Sequence, residues 1–322
     1  MYQIYPVSDT PGGDAWLILT ARKAALYEAG YAFSAPSILD NLKRLLQGRP
    51  LDYILLTHSH YDHASGAAQI KQAYPEAQVT ASAYCAKVFT RPGAIRTIRE
   101  MNDNAARLYG RYPYEDLLDR LRVDRTVADG DVIDLDDVKL TVWETPGHTK
   151  CSISFLSDDG LLLMSETMGA LAELPDDKGD YLIAPACMVG HGKSLAAIRR
   201  AIAAEPNRLL LAHYQVVDGE VPMRFLNRSL YWHERSRDLL LEGWQAGKTI
   251  EELTNKVEEL EAEVEDIGDI IEAGKLGDDI FYALYSTGKV LVKGTGEMYE
   301  IELPERPPLF GKDAVKNLPD VM

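Results

Sequence analysis

Residues 54–63 read ILLTHSHYDH, and this stretch decides the fold. Its mostly apolar first part predicts a short strand that ends directly at His58, and the small residues after it favour a helix. Imidazole nitrogens and carboxylate oxygens are good ligands for zinc and other first-row metals. Four such ligands packed so closely cannot all bind one tetrahedral ion. The stretch therefore predicts a two-metal site that uses His58, His60, Asp62 and His63.

Three more candidate ligands follow predicted strands further along the chain. His148 stands in the turn TPGHT, His213 in LAHY, and Glu166 in the stretch LLLMSET. Open α/β architectures place their ligands at the carboxyl ends of strands, so we expect these side chains to converge on the first group. His191 and His233 have no motif around them and are left out of the predicted metal set.

Over roughly residues 1–245, the HxHxDH motif and the later histidines resemble the metallo-β-lactamase-fold hydrolase superfamily. The resemblance implies an α/β fold, a four-layer αβ/βα sandwich with the site at one edge. It implies that one metal is held by His58, His60 and His148, and the other by Asp62, His63 and His213. Glu166 occupies the place of the family's bridging aspartate.

The resemblance also implies a mechanism. We expect two divalent ions, with zinc favoured by the resemblance, although imidazole and carboxylate ligands also suit iron and manganese. The predicted nucleophile is a hydroxide that bridges the ions, which is formed because metal binding lowers the pKa of water. Asp62 is the predicted catalytic residue, because it would ligate one ion and orient that hydroxide.

Alternating strand and helix patterns predict one hydrolase domain over residues 1–246. We expect a helical insert at residues 91–120, which interrupts this pattern. A strand-rich stretch follows at residues 122–164, then a loop at 170–190 and a long helix over Met223–Ala246.

The tail carries two further patterns. Within residues 249–275, apolar residues follow 3-4-3-4 spacing at Ile250, Leu253, Val257, Leu260, Val264, Ile267 and Ile271. This heptad pattern favours a two-stranded coiled coil, hence a homodimer through residues 250–271, although a helix packed on its own domain would use the same seam. Residues 278–322 contain three alternating stretches, and these predict a small β-meander.

Aromatic residues suggest a substrate pocket over the metals. The predicted insert supplies Tyr109 and Tyr112, and the long helix supplies Trp232. Such a pocket would suit an acyl or aromatic thioester, or a lactone. The insert and the long helix resemble the thioesterase-like branch of the quinolone-signal response type. The alternative is that these aromatics belong to the core.

The composition of the chain indicates which class of partner and which cellular compartment to expect. The 322-residue chain has a formal charge of −16, which repels nucleic acids and anionic membranes and favours a small-molecule substrate. Cys85, Cys151 and Cys187 are widely separated and form no CxxC motif, so we expect reduced thiols. No apolar run reaches the roughly 18 residues of a membrane span, and the N-terminus has no signal-peptide pattern. The expected location is the cytoplasm.

The sequence leaves other functions open. A lactonase, phosphodiesterase or β-lactamase would use the same metals. A signalling or interaction protein would keep the metal site and act through its tail. A redox role is disfavoured, because no CxxC motif or flavodoxin-like domain is present to carry electrons.

Overall fold

The structure is a computed structural model that describes residues 2–173, 182–213 and 216–247 and four strands between residues 275 and 302. The chain divides into two compact units. The first contains Met1–Glu144, Cys151–Ser165 and Ala212–Val216, and the second contains Thr145–Lys150, Glu166–Leu211 and Val217–Met322. His148 and Glu166 therefore belong to the second unit, and the other predicted ligands belong to the first.

A six-stranded sheet organises the first unit, and its strands lie side by side in chain order. They are β1 (Gln3–Pro6), β2 (Trp16–Leu19), β3 (Ala24–Tyr27), β4 (Tyr53–Leu55), β5 (Gln78–Ser82) and β6 (Arg125–Val127). Strands β1 to β3 are antiparallel, whereas β3 to β6 are parallel. Parallel neighbours need crossover connections, which are usually helical. The parallel part therefore brings the carboxyl ends of β3, β4 and β5 to one edge of the sheet.

Helices cover this sheet because their apolar residues recur on one face. The helices of the first unit are α1 (Ala35–Leu46), α2 (Tyr61–Ala64), α3 (Ala67–Ala73), α4 (Ala83–Val88) and α5 (Pro92–Leu108). In α1, the buried residues Ile38, Leu42 and Leu46 are four positions apart and join Leu26 and Ile54 in the core. Full burial of one such side chain contributes about 1.5–3 kcal/mol.

Four antiparallel strands of the first unit lie side by side in a second sheet. They are β7 (Val132–Asp134), β8 (Lys139–Glu144), β9 (Ile153–Ser157) and β10 (Leu161–Leu163). Tyr27 of β3 joins the two sheets, because its ring packs edge-on against Phe155 at 6.4 Å and its hydroxyl donates to the Met164 carbonyl. The backbone N–H of Ile153 also donates to the Thr57 carbonyl, at 2.9 Å. The predicted α/β class with two sheets is confirmed.

The second unit contains the hairpin β11 (Ala170–Glu173) and β12 (Leu182–Ala184) and the packed helices α6 (His191–Ala204) and α7 (Val221–Gln245). The long predicted helix over residues 223–246 is confirmed as α7. Two short strands, β13 (Arg208–Leu210) and β14 (Val216–Asp218), flank His213 in the chain.

Four antiparallel strands are described in the tail. They are β15 (Lys275–Leu276), β16 (Ile280–Tyr285), β17 (Lys289–Gly294) and β18 (Glu297–Glu302). The predicted β-meander is thus present. The heptad pattern at residues 249–275 lies almost wholly outside the described residues, so the coiled coil and the homodimer stay predictions, as do the domain boundaries.

Two local expectations were wrong. The insert at residues 91–120 is not helical throughout, because α5 ends at Leu108 and only a short 3₁₀ turn, Leu118–Arg120, follows. The predicted loop at 170–190 instead begins with the β11–β12 hairpin. Among the described residues, no helix is long and apolar enough to cross a membrane. All three cysteines are buried free thiols, as expected.

Candidate metal centre

The HSHYDH segment forms a compact group of imidazoles just beyond β4. His60 has extended backbone and precedes α2, which begins at Tyr61. His58, Asp62 and His63 are buried, while His60 is half-buried. The ring centroid of His58 lies 4.5 Å from that of His60 and 4.2 Å from that of His63. The strand-to-helix turn therefore gathers the predicted ligands of this motif at one place.

His213 joins this motif within the first unit. Potential ligand atoms of Asp62, His63 and His213 all lie within 4.8 Å of one another. Nε2 of His63 is 3.4 Å from Asp62 Oδ2, and Nε2 of His213 is 3.9 Å from the same oxygen. Two imidazoles from distant parts of the sequence thus present the same ring nitrogen to one carboxylate. This donor set suits a divalent transition metal.

Glu28 lies behind His63, at the end of β3, and the sequence analysis missed it. Its Oε1 is 3.3 Å from His63 Nδ1, and both side chains are buried. The carboxylate also accepts hydrogen bonds from the N–H and the hydroxyl of Thr57. Glu28, His58 and His63 form another set with ligand atoms within 4.8 Å. Because the oxygens of Glu28 already face Thr57 and His63 Nδ1, the carboxylate is placed to orient these side chains.

Thr57 extends this arrangement to His58. Its hydroxyl donates to Glu28 and lies 2.9 Å from His58 Nδ1. Metal-bound histidines commonly engage their second ring nitrogen with a carboxylate, carbonyl or hydroxyl. The pattern was detectable in the sequence only as an acidic residue closing the apolar strand AALY at residues 24–27.

The second unit brings His148 and Glu166 together. His148 Nε2 is 2.7 Å from Glu166 Oε2, and His148 Nδ1 is 3.1 Å from the carbonyl oxygen of Ala186. The backbone N–H of His148 donates to the Thr167 hydroxyl at 3.2 Å. The His148 imidazole is therefore held by the Ala186 carbonyl at Nδ1, while its Nε2 faces the Glu166 carboxylate.

Gly147 allows the turn that carries His148. A Cβ at this position would lie 2.2 Å from Ser194 Oγ and 2.6 Å from Thr167 Cγ2, which is closer than real contacts allow. The Gly147 carbonyl accepts a hydrogen bond of 2.8 Å from the N–H of Val189. Close packing of α6 and the segment after Glu166 against this backbone thus explains the glycine in TPGHT.

Of the predicted substrate residues, Tyr109 is in an aromatic cluster that includes the HSHYDH segment. Buried Tyr31 stacks on Phe33 at 4.7 Å and lies 5.7 Å from Tyr61 and 6.0 Å from Tyr109. Burial, together with nearby Tyr61 and Asp62, raises the pKa of Tyr31 well above its ordinary value, so it is a neutral phenol. Tyr61 and Tyr109 are half-buried and form the more open side of the cluster.

The other two predicted substrate residues lie elsewhere. Tyr112 is 48% exposed and lies under the guanidinium of Arg107, 4.3 Å from ring centroid to Cζ. Trp232 is half-buried on α7 in the second unit, where its ring is 5.3 Å from that of Tyr231. Neither has a described contact with a predicted metal ligand.

Comparison with known proteins agrees with this geometry. Residues 9–213 match the family model described as the metallo-beta-lactamase superfamily. A metallo-beta-lactamase fold-containing protein of Sulfurisphaera tokodaii is 24% identical over 184 residues, covering 56% of this chain and 67% of that protein. A hydroxyacylglutathione hydrolase of Tolumonas auensis is 28% identical over 170 residues, covering 52% of each chain. The chain thus spans only about half of that hydrolase.

Solved structures share the fold. The archaeal metallo-beta-lactamase superfamily protein from Sulfolobus tokodaii has a TM-score of 0.53 at 21% identity, covering 72% of this chain and 86% of its own. The subclass B3 metallo-beta-lactamase of Bradyrhizobium japonicum has a TM-score of 0.51 at 21% identity, covering 77% of this chain and 94% of its own. Identities this low support a common architecture and leave the substrate open.

Proposed function

The chain belongs to the metallo-beta-lactamase superfamily of hydrolases, and we propose that it hydrolyses a small-molecule thioester or carboxylic ester with the aid of two divalent metal ions. The main support for this proposal is the arrangement of carboxylates around His63 and His213. His63 and His213 both present Nε2 to Asp62, while each Nδ1 faces another carboxylate, Glu28 or Asp14. Such an arrangement is typical of histidines that bind a metal.

The predicted ligands divide into two sets, one for each ion. We propose that Asp62, His63 and His213 hold one ion, because their ligand atoms lie within 4.8 Å of one another. From membership of the superfamily, we propose that His58, His60 and His148 hold the other. Glu166 would lie beside His148, where its carboxylate is already within hydrogen-bond distance of Nε2. Zinc suits this mixture of imidazole and carboxylate, and iron and manganese suit it as well.

The ions and the residues of the chain have different roles in the proposed reaction. When bound, the two ions supply Lewis-acid chemistry that activates water and polarises a carbonyl group. Asp62 would accept a hydrogen bond from the attacking water and orient it toward the substrate. Glu28 and Thr57 would keep the imidazoles of His58 and His63 in one tautomer and one orientation.

Two observations favour an acyl group carried on sulfur or oxygen. The half-buried rings of Tyr61, within the HSHYDH segment, and Tyr109 offer an apolar surface, and such surfaces bind acyl and aromatic groups. The relatives named hydroxyacylglutathione hydrolase act, by that name, on acyl derivatives of a thiol. The formal charge of −16 disfavours a nucleic acid as substrate.

A substrate panel with zinc-loaded or manganese-loaded protein tests the proposal. It would contain an aromatic thioester, an aliphatic thioester, a lactone, a phosphodiester and a β-lactam. We expect the highest kcat/KM for a thioester. Preference for the lactone would assign the substrate to the oxygen esters, whereas preference for the phosphodiester or the β-lactam would replace the proposed substrate class. Failure to hydrolyse any of the five would overturn the proposal.

Asp62→Asn tests whether hydrolysis occurs at this site. Loss of the carboxylate should lower kcat by about 10²–10⁴-fold, the usual contribution of a positioned acid–base group. Asp40→Asn is the matched control, because Asp40 is exposed on α1 and should leave kcat unchanged. Equal activity of the two variants would place hydrolysis at another site.

A further inference from the structure

Asp14 lies beside His213 on the face opposite Asp62. Asp14 Oδ2 is 3.5 Å from His213 Nδ1, and His213 Nε2 is 3.9 Å from Asp62 Oδ2. The imidazole of His213 is therefore flanked by two carboxylates, one at each nitrogen. Asp14 belongs to none of the sets of described side chains whose ligand atoms converge within 4.8 Å. The position of Asp14 is therefore that of a hydrogen-bond partner of His213 rather than that of a metal ligand.

Asp14 is the second-to-last residue of the segment between β1 and β2, residues 7–15, here named the β1–β2 loop. Two groups just beyond the end of α5 hold this loop. Arg111 donates from both terminal nitrogens to the two oxygens of Asp9, each at 3.0 Å, and the hydroxyl of Tyr109 donates to the Pro11 carbonyl at 2.8 Å. A forked guanidinium–carboxylate pair fixes orientation as well as distance.

Asp9 is suited to this pairing at neutral pH. Burial raises its pKa, but hydrogen bonds from Arg111, Ser37 and Thr10 outweigh this and hold the pKa of Asp9 below its ordinary value. The carboxylate is consequently charged when Arg111 binds it.

Close backbone packing also restricts the loop. A Cβ on Gly13 would lie 2.2 Å from Cδ2 of Tyr31, and a Cβ on Gly30 would lie 2.7 Å from the carbonyl oxygen of Gly13. Gly30 has a φ of +60°, which also favours glycine. The loop backbone therefore rests directly on residues 30 and 31. This packing limits the positions that the neighbouring Asp14 can reach.

We propose that Asp14 is a positioning residue that accepts the Nδ1–H of His213 and so directs the Nε2 lone pair toward the metal. The inference rests on the proposed function, because it assigns a role toward the same ion. It makes Asp14 the counterpart of Glu28, which faces Nδ1 of His63 in the same way. The end of α5 is then linked through the β1–β2 loop to one of the metal ligands.

Metal titration of the full-length protein tests this role without relying on activity. The metal-free protein would be titrated with Zn²⁺ in competition with a chromophoric chelator, and with Co²⁺ while its visible spectrum is recorded. Asp14→Asn removes the charge at nearly constant size, and Asp14→Glu is the conservative variant. Asp40→Asn, on the exposed side of α1, is the matched control.

We expect Asp14→Asn to weaken one of the two Zn²⁺ equivalents by about 10–100-fold, the usual effect of losing such a partner. The Co²⁺ bands should change, Asp14→Glu should recover part of the affinity, and Asp40→Asn should match the parent. Two equivalents bound by Asp14→Asn with parental affinity and spectrum would overturn this inference alone. A parent protein that binds no metal would overturn the proposed function together with it.

Discussion

Glu28 Oε1 lies 3.3 Å from His63 Nδ1, and neither side chain has appreciable contact with solvent. Because the same carboxylate accepts from the N–H and the hydroxyl of Thr57, Glu28→Ala removes the acceptor of two buried donors as well as the contact with His63. Each buried polar group that loses its partner costs about 1–3 kcal/mol. We expect Glu28→Ala to lower the free energy of unfolding by at least about 2 kcal/mol, as measured by chemical denaturation.

Glu28→Gln removes the negative charge of the side chain and keeps its size and shape. The amide keeps an oxygen for Thr57, so the loss of stability should be smaller than in Glu28→Ala, whereas Zn²⁺ affinity should fall in both variants. Glu76→Ala, at an exposed position, serves as the control for removal of a carboxylate. Parental stability in Glu28→Ala would mean that the buried contacts described above do not exist.

Gly147→Ala should destabilise the second unit by overpacking. The new methyl group would meet Ser194 Oγ at 2.2 Å and Thr167 Cγ2 at 2.6 Å, and such crowding costs about 1–3 kcal/mol. Thermal unfolding measures the change. Combining Gly147→Ala with Ser194→Ala and Thr167→Ser should recover part of the loss, because both crowded atoms are then removed while the Thr167 hydroxyl position is kept.

Gly93→Ala is the matched control for that experiment. A Cβ at Gly93 would meet no atom within 4 Å, and its backbone lies in α5. Replacing a helical glycine by alanine raises stability by about 0.5–1 kcal/mol. If both alanine variants changed stability equally, crowding at Gly147 would be disproved.

His233 should make the protein sensitive to mild acid. It is fully buried on α7, its Nδ1 lies 2.8 Å from the Ser229 carbonyl oxygen, and burial lowers its pKa to about 4. Because the folded-state pKa is below the ordinary value of about 6.5, the unfolded chain binds the proton more tightly. The neutral form therefore stabilises the fold fully above pH 6.5, and this contribution falls as the pH drops toward 4.

His233→Asn tests this prediction, because its amide N–H replaces the Nδ1–H and has no proton to gain. The difference in unfolding free energy between pH 7 and pH 4 should be smaller in the variant by about 3 kcal/mol. Denaturant titrations at several pH values measure the difference. Parallel pH profiles for the parent and the variant would refute the role assigned to His233.

Tyr109→Ala should weaken binding of an aromatic thioester. Loss of one face of the aromatic surface costs about 0.5–1.5 kcal/mol, which corresponds to a rise in KM of about 2- to 12-fold. Tyr112→Ala should have a smaller effect, because Tyr112 is largely exposed and pairs with Arg107. Steady-state kinetics with aromatic and aliphatic thioesters distinguish the two positions. Equal KM values for the parent, Tyr109→Ala and Tyr112→Ala would show that Tyr109 does not contact the substrate.

The sequence predicts local features of this protein well and long-range ones poorly. The HSHYDH motif and the strand before it are close in the chain, so their arrangement follows from local geometry. Glu28 and Asp14 could not be recognised in this way. Glu28 reaches His63 because β3 pairs with β4 in parallel register, Tyr27 opposite Leu55, and no local pattern encodes that register.

The errors in secondary structure have physical causes as well. Helix α5 ends where Tyr109 leaves helical geometry and Gly110 adopts a φ of +64°, a left-handed stop that the aromatic and arginine-rich composition of the insert obscured. The β11 and β12 strands have only four and three residues. Strands that short contain too few residues for an alternating pattern to be recognised.

The hydrogen bond from Tyr109 to Pro11 has an evolutionary consequence. A phenylalanine in place of Tyr109 would keep the ring of the proposed acyl-binding surface but would lose the hydrogen bond to the backbone of the loop that carries Asp14. If Asp14 positions His213 as proposed, selection for a new substrate at residue 109 would also change how tightly the proposed ion beside His213 is held. Laboratory libraries that vary residue 109 should be screened under limiting zinc, because we expect variants with altered selectivity to differ in how much metal they require.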